Sequence, residues 1–87
     1  MSSGSTKGNN PELWDKLLSD LDEKLQLGLL DKLRRIQAYH FEGDILFLEA
    51  ASDEDAAYLS RTATLQHLEV LAQDATGIRE LRIKKRS

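Results

Sequence analysis

The stretch "FEGDILFLEAASDED", Phe41 to Asp55, decides the fold class. "EGD" supplies a glycine for a tight reversal, Ile45 to Ala51 is a compact apolar run, and Ser52 begins a helix-start signal. Tyr39 and Phe41 alternate with polar neighbours before the turn, so the period there is two. The reading is a hairpin whose second strand is the more central. Ile45, Phe47 and Glu49 then face one side, and Leu46, Leu48 and Ala50 the other. Ser52 followed by Asp53, Glu54 and Asp55 is a capping pattern, with the third residue past the cap acidic and able to reach back. A divalent-ion site is the competing reading of "SDED". Calcium loops spread oxygen ligands over about twelve residues around a glycine turn, and that spacing is missing.

Working backward, Asn10 and Pro11 open a helix, Asn as the cap and Pro at the first helical position. Trp14, Leu17, Leu18, Leu21 and Leu25 recur at helical spacing and predict one apolar stripe over about 11–25. The stripe loses phase at Gly28, which suggests a joint over 26–28. Leu29, Leu30, Leu33 and Ile36 restart the pattern on a second helix ending near Arg35; one bent helix over 11–36 is the alternative. Residues 1–9 are rich in Ser, Gly and Asn, without apolar periodicity, and read as a flexible leader, linker or tag. Residues 10–87 form a single domain.

Working forward, Ala56, Ala57, Leu59, Leu65, Leu68, Leu71, Ala72 and Ala75 mark a third helix, with a bend or brief break at "SRTAT". Gly77 suits a left-handed residue beyond its end. Ile78, Leu81 and Ile83 alternate as a last strand. The expected order is α-α-β-β-α-β, a small α+β domain with a three-stranded sheet packed against helices.

The chemistry is sparse. The 87 residues are 40% hydrophobic and 31% charged, with no cysteine, so a disulfide scaffold, a thiolate metal site and a cysteine nucleophile are excluded. His40 and His67 lie 27 positions apart without a companion carboxylate at informative spacing, and two histidines do not close a zinc site. Ser60 lacks the strand–turn–helix setting of a nucleophilic serine. No glycine-rich phosphate loop occurs in the folded part. The reading is therefore non-enzymatic, with no catalytic residue, metal, cofactor or small-molecule substrate. No apolar run is long enough to span a membrane, and the start of the chain lacks a signal peptide's apolar core, so the expected compartment is the cytoplasm.

Net charge is −3, unevenly spread. Glu12 to Asp55 carry twelve acidic residues, whereas Arg82, Lys84, Lys85 and Arg86 sit among the last eight. An acidic domain is poorly suited to autonomous DNA binding, because phosphate contacts supply most of that affinity. The basic end is either a solvated terminus or a weak single-stranded nucleic-acid contact. Trp14, the one tryptophan, either covers the sheet or second helix or anchors an interface, a use for which tryptophan is enriched.

"LW" opening the first helix, "LLSDLDEKL" continuing it and "GDILFLEA" beginning thirty residues after Leu13, then a long helix, a glycine and a closing strand, resemble a known family. It is that of the N-terminal domain of the bacterial replication initiator DnaA, with a related domain near the C-terminus of the DNA polymerase III tau/gamma subunit. The resemblance covers Glu12 to about Lys85 and implies a KH-like α+β fold and a docking role. In the initiator this domain associates with itself, contacts the replicative helicase and receives regulatory proteins. Trp14 matches a tryptophan implicated in self-association. With Leu18 on the same helix, and Leu29 and Leu30 on the second, it makes the expected partner-binding set. Leu30 and Leu33 stand where the initiator usually has phenylalanine and tryptophan. Its helicase-contacting positions fall near Leu29 and Glu54, which do not match. "GLLDKL" with "GDILFL" is nearer the tau/gamma relatives. The KH clamp, a Gly-x-x-Gly loop, is absent from "LQLGLL".

Overall fold

In the computed structural model, which describes residues 8–84, the hairpin forms as the sequence predicts. Strand β1 (Ala38–Glu42) pairs antiparallel with β2 (Ile45–Glu49) through a two-residue loop, Glu42 opposite Ile45. Gly43 at φ 59° takes the first loop position, which a type II′ hairpin reserves for glycine. Strand β3 (Glu80–Lys84) lies parallel to β2 on its other edge, giving the order β1-β2-β3 with β2 central. Two bonds start it in register: Arg79 and Glu80 donate their N–H groups to the Asp44 carbonyl, at 2.7 and 3.2 Å.

A parallel pair needs a crossover, and the chain between β2 and β3 supplies two helices. Helix α3 (Asp53–Ser60) is capped by Ser52, whose hydroxyl accepts from the Asp55 N–H at 3.2 Å. Helix α4 (Thr62–Thr76) follows a break at Arg61, whose ψ of 137° leaves the helical region. The bend expected at "SRTAT" is thus a full break, and the order is α-α-β-β-α-α-β. Gly77 closes α4 at φ 83°, donating to the Gln73 carbonyl at 2.9 Å.

Helix α1 (Pro11–Glu23) begins on Asn10, whose side chain accepts from the Leu13 N–H, and helix α2 (Leu27–Arg34) follows. Their inward stripes meet α4 and one face of the sheet. Leu17, Leu21, Leu33, Leu46, Leu48, Leu59 and Leu68 are wholly buried. The fold class is therefore α+β, helices packed against a three-stranded mixed sheet.

Three local readings are corrected. The break between α1 and α2 falls at Leu25 (φ 59°), and Gly28 is helical, the second residue of α2. Asp55 does not reach back to complete a capping box. Its buried carboxylate takes a two-pronged grip from Arg35, with Nε and Nη2 each 2.9 Å from an oxygen, and Lys32 lies 3.4 Å away. The pair ties the C-terminal end of α2 to the N-terminal end of α3, where the helix dipoles favour a cation and an anion respectively. Finally, the folded part begins before residue 10. Asn9 uses its side-chain amide like a strand residue, donating to the Phe41 carbonyl at 2.7 Å and accepting from the Phe41 N–H at 2.8 Å on the free edge of β1.

Candidate interaction surfaces

The four residues expected to bind a partner face largely inward. Trp14 is 6% exposed and stacks on Tyr39 of β1, ring centroids 4.3 Å apart and planes 7° from parallel. Tyr39 in turn meets Phe41 edge-on at 5.7 Å. Trp14 therefore covers the sheet, the first of its two readings. Burial holds the Tyr39 hydroxyl's pKa above its ordinary value, opposed by a backbone hydrogen bond from Asn10. Leu29 and Leu30 are buried beneath α2, and Leu18 is half-buried at the core's margin. As folded, the indole and both α2 leucines offer little surface to a partner.

Arg82 and Lys84 lie on the sheet face that the helices leave uncovered. The register puts His40, Phe47 and Arg82 in one row across the three strands, and Ala38, Glu49 and Lys84 in the next. None of these six is buried. Phe47 lies at the centre, with the Lys84 ammonium 5.8 Å from its ring centroid and the His40 ring at 6.3 Å. Arg82 is partly occupied, donating from Nε to Glu80 at 2.6 Å. Lys85 and Arg86 lie outside the described residues. Alternation in "ILFLE" already put Phe47 on the face opposite Leu46 and Leu48. What the sequence left unread was that this face would carry no second layer.

The surface feature that sequence reasoning missed is at the α1–α2 joint. The large hydrophobic side chains exposed among the described residues are Leu25, Leu27 and Val70, at 76%, 56% and 61%. All belong to one region. The His67 Nε2 lies 3.1 Å from the Gln26 Oε1, and Lys24 donates to Asp74 at 3.0 Å, so α4 runs beside residues 24–26. Val70 lies between His67 and Asp74, and Leu25 between Lys24 and Gln26. The two bridges bring these apolar side chains onto the same stretch of surface. Next to them, Leu25, Leu27, Gly28, Tyr58, Ala63 and His67 help line an open cleft of about 370 Å³.

Leu25 is held there in an unusual way. Its N–H donates to the Asp22 carbonyl at 3.1 Å, and the following Gln26 N–H to Leu21 at 2.9 Å. This is a Schellman helix ending, whose left-handed position normally takes glycine. A leucine in that conformation costs about 1 kcal/mol or more relative to glycine. It is also exposed, so burial within the domain returns little. The signal in the sequence was weak: Leu25 continues the α1 stripe by spacing, and nothing in "EKLQLG" says that the helix stops two residues earlier.

Catalytic geometry is thin. Among the described residues, no group of three or more His, Asp or Glu side chains is positioned to hold a metal ion, and no buried side-chain polar atom lacks a hydrogen-bond partner. His40 and His67 are exposed, on β1 and α4. No helix among the described residues is long and apolar enough to cross a membrane. No protein-family model, curated protein or solved structure matches the chain.

Proposed function

We propose that this domain is a non-enzymatic protein–protein interaction module of the bacterial DNA replication machinery, working in the cytoplasm. It would mediate self-association or the docking of a helicase, polymerase or regulatory protein, as in the initiator's N-terminal domain or the tau/gamma C-terminal domain. The observation that carries the docking role is the gathering of Leu25, Leu27 and Val70 on one stretch of surface beside a cleft, with Leu25 in a backbone conformation unfavourable to it. Contiguous exposed apolar surface is characteristic of binding sites. The replication context rests on the sequence resemblance. The interface assigned here differs from the one the resemblance implies, since Trp14, Leu29 and Leu30 are occupied in the core.

The test is direct binding of the immobilised domain to purified replicative helicase and polymerase subunits of its source organism, beside its own self-association. Micromolar binding that Leu27→Ser weakens at least tenfold, with thermal stability retained, supports the reading. Absence of every such interaction up to about 1 mM defeats it.

A second reading is favoured by Phe47. An aromatic on an open sheet face beside Lys84 and His40 resembles the stacking platforms that bind single strands without strong sequence preference. Glu42, Glu49 and Glu80 share that face, so the expected binding is weak and salt-sensitive. Anisotropy of a labelled oligothymidine at two salt concentrations tests it, with Phe47→Ala as the control. Binding unaffected by Phe47→Ala would remove this face from consideration.

A further inference from the structure

The cleft at the α1–α2 joint is apolar, and its nearby charge is one-sided. Leu25 and Leu27 wall it from the joint and Tyr58 from α3, while Gly28 adds no side chain to close it. Among the described residues, none that lines it is acidic. Two cations flank the Tyr58 ring, the Lys32 ammonium at 5.3 Å and the Arg61 guanidinium at 5.6 Å from its centroid. Lys32 is shared with Asp55, 3.4 Å away. Arg61 is exposed, at the break between α3 and α4, and has no carboxylate partner among the described residues.

The other charged groups around the cleft do not compete for that role. At the α1 end, the Lys24 ammonium lies 2.9 Å from Asp20 and 3.0 Å from Asp74, and is neutralised by them. Glu23 is exposed beside it without an ion pair among the described residues, so that end repels a further anion. Asp22 lines a separate hollow with Leu30, Asp31 and Arg34. On α3, the Glu54 charge acts on Arg35, and Asp55 is held by the same arginine. The cation still free to meet a ligand is Arg61. A guanidinium resting on an aromatic ring keeps its edge N–H donors for a carboxylate.

We infer that the cleft takes a short peptide segment of a partner protein in which a large apolar side chain is flanked by a carboxylate. The apolar group packs between Leu25, Leu27 and Tyr58, and the carboxylate meets Arg61. At about 370 Å³ the cleft lies at the small end of ligand pockets, which suits a single anchor side chain. The inference rests on the interaction-module reading and states the chemistry of the segment bound at its cleft.

Display selection of random dodecapeptides against the immobilised 87-residue chain tests it without presupposing a sequence. Selected peptides should share an apolar residue with Asp or Glu close by. A labelled synthetic copy should bind in fluorescence anisotropy with a Kd of about 10–100 µM. Leu27→Ser should weaken that binding by about tenfold. Arg61→Glu should weaken it similarly and instead prefer a copy in which lysine replaces the acidic residue. That exchange of preference separates charge recognition from damaged folding, which would weaken both peptides alike. Three results overturn the inference: no enrichment, a basic consensus, or an acidic peptide that binds Arg61→Glu as well as wild type. If selection fails while a replication subunit still binds through Leu27, the peptide inference falls and the module reading stands. If neither binds, both fall.

Discussion

Replacing Trp14 with alanine should cost the domain a large part of its stability, and the magnitude follows from its packing. The indole is 6% exposed and lies flat on Tyr39 at 4.3 Å. Truncating a buried Trp or Phe costs about 3–5 kcal/mol, and the stacked partner loses its aromatic neighbour as part of that. A domain of this length has a total stability of roughly 4–13 kcal/mol at typical per-residue values. The variant therefore forfeits between about a quarter of its stability and all of it. Urea unfolding followed by far-UV circular dichroism is the suitable assay, because the variant lacks the only tryptophan. With a slope near 1 kcal/mol per molar urea, expected for a small protein, the midpoint should fall by about 3 M or more. Trp14→Phe keeps a ring over Tyr39 and should lose about half as much. A midpoint shift below about 1 M for Trp14→Ala would refute the core assignment and return Trp14 to the surface. The result matters for function, because loss of association in Trp14→Ala would otherwise be read as an interface effect when it reports unfolding.

Asp55→Asn should cost about 1–2 kcal/mol at pH 7, since it weakens a charge-assisted two-pronged bond whose arginine remains partly solvated. Hydrogen bonds from Arg35 hold the Asp55 carboxyl below its ordinary pKa, against the opposing effect of burial. A depressed folded pKa stabilises fully above the unfolded value of about 3.9 and is lost as pH falls through the folded one. The gap between wild type and variant should therefore narrow between pH 5 and pH 2; a constant gap in urea titrations would contradict this. Gly28→Ala should raise stability by about 0.5 kcal/mol, because Gly28 is helical and a Cβ would meet only ordinary contact at 3.4 Å. Destabilisation on thermal melting would mean that residue 28 has a joint conformation instead. Asn9→Ala should cost about 1 kcal/mol for the two bonds lost on the free edge of β1, seen as faster amide exchange at Phe41.

Much of this architecture was legible because the chemistry was local. Asn10–Pro11, Ser52 and Gly77 specify their helix ends through their own side chains or backbone freedom, and each sits where its type demands. Gly43 did the same for the hairpin. Two of the misreadings, at Asn9 and Asp55, arose because a long-range partner outbid a local rule; the third, at Leu25, is itself local. Asp55 has the spacing of a capping box, but Arg35, twenty residues earlier, offers two charged donors in a buried site and takes its carboxylate. Leu25 keeps α1's spacing, but the backbone bonds from Leu25 to Asp22 and from Gln26 to Leu21 end the helix before it and turn it outward. Trp14 offered two local readings, and Tyr39, supplied by a strand 25 residues on, chose the inner one.

The two candidate surfaces differ in how they came to be exposed, and that separates what each can do. Phe47 is outward because strand alternation requires alternate residues to face away from the helices, and a three-stranded sheet with one helical layer leaves that face open. Its exposure needs no function to explain it. Leu25 is outward against both preferences, conformational and hydrophobic, in a chain where a glycine would relieve the first and a polar residue the second. A feature that lowers the free domain's stability and is not required by the fold is the better marker of a binding site. The cleft at the α1–α2 joint and the open sheet face share no residue. Substitutions at Leu25 and Phe47 can therefore be combined, and their effects on protein association and on single-strand binding should be independent of one another.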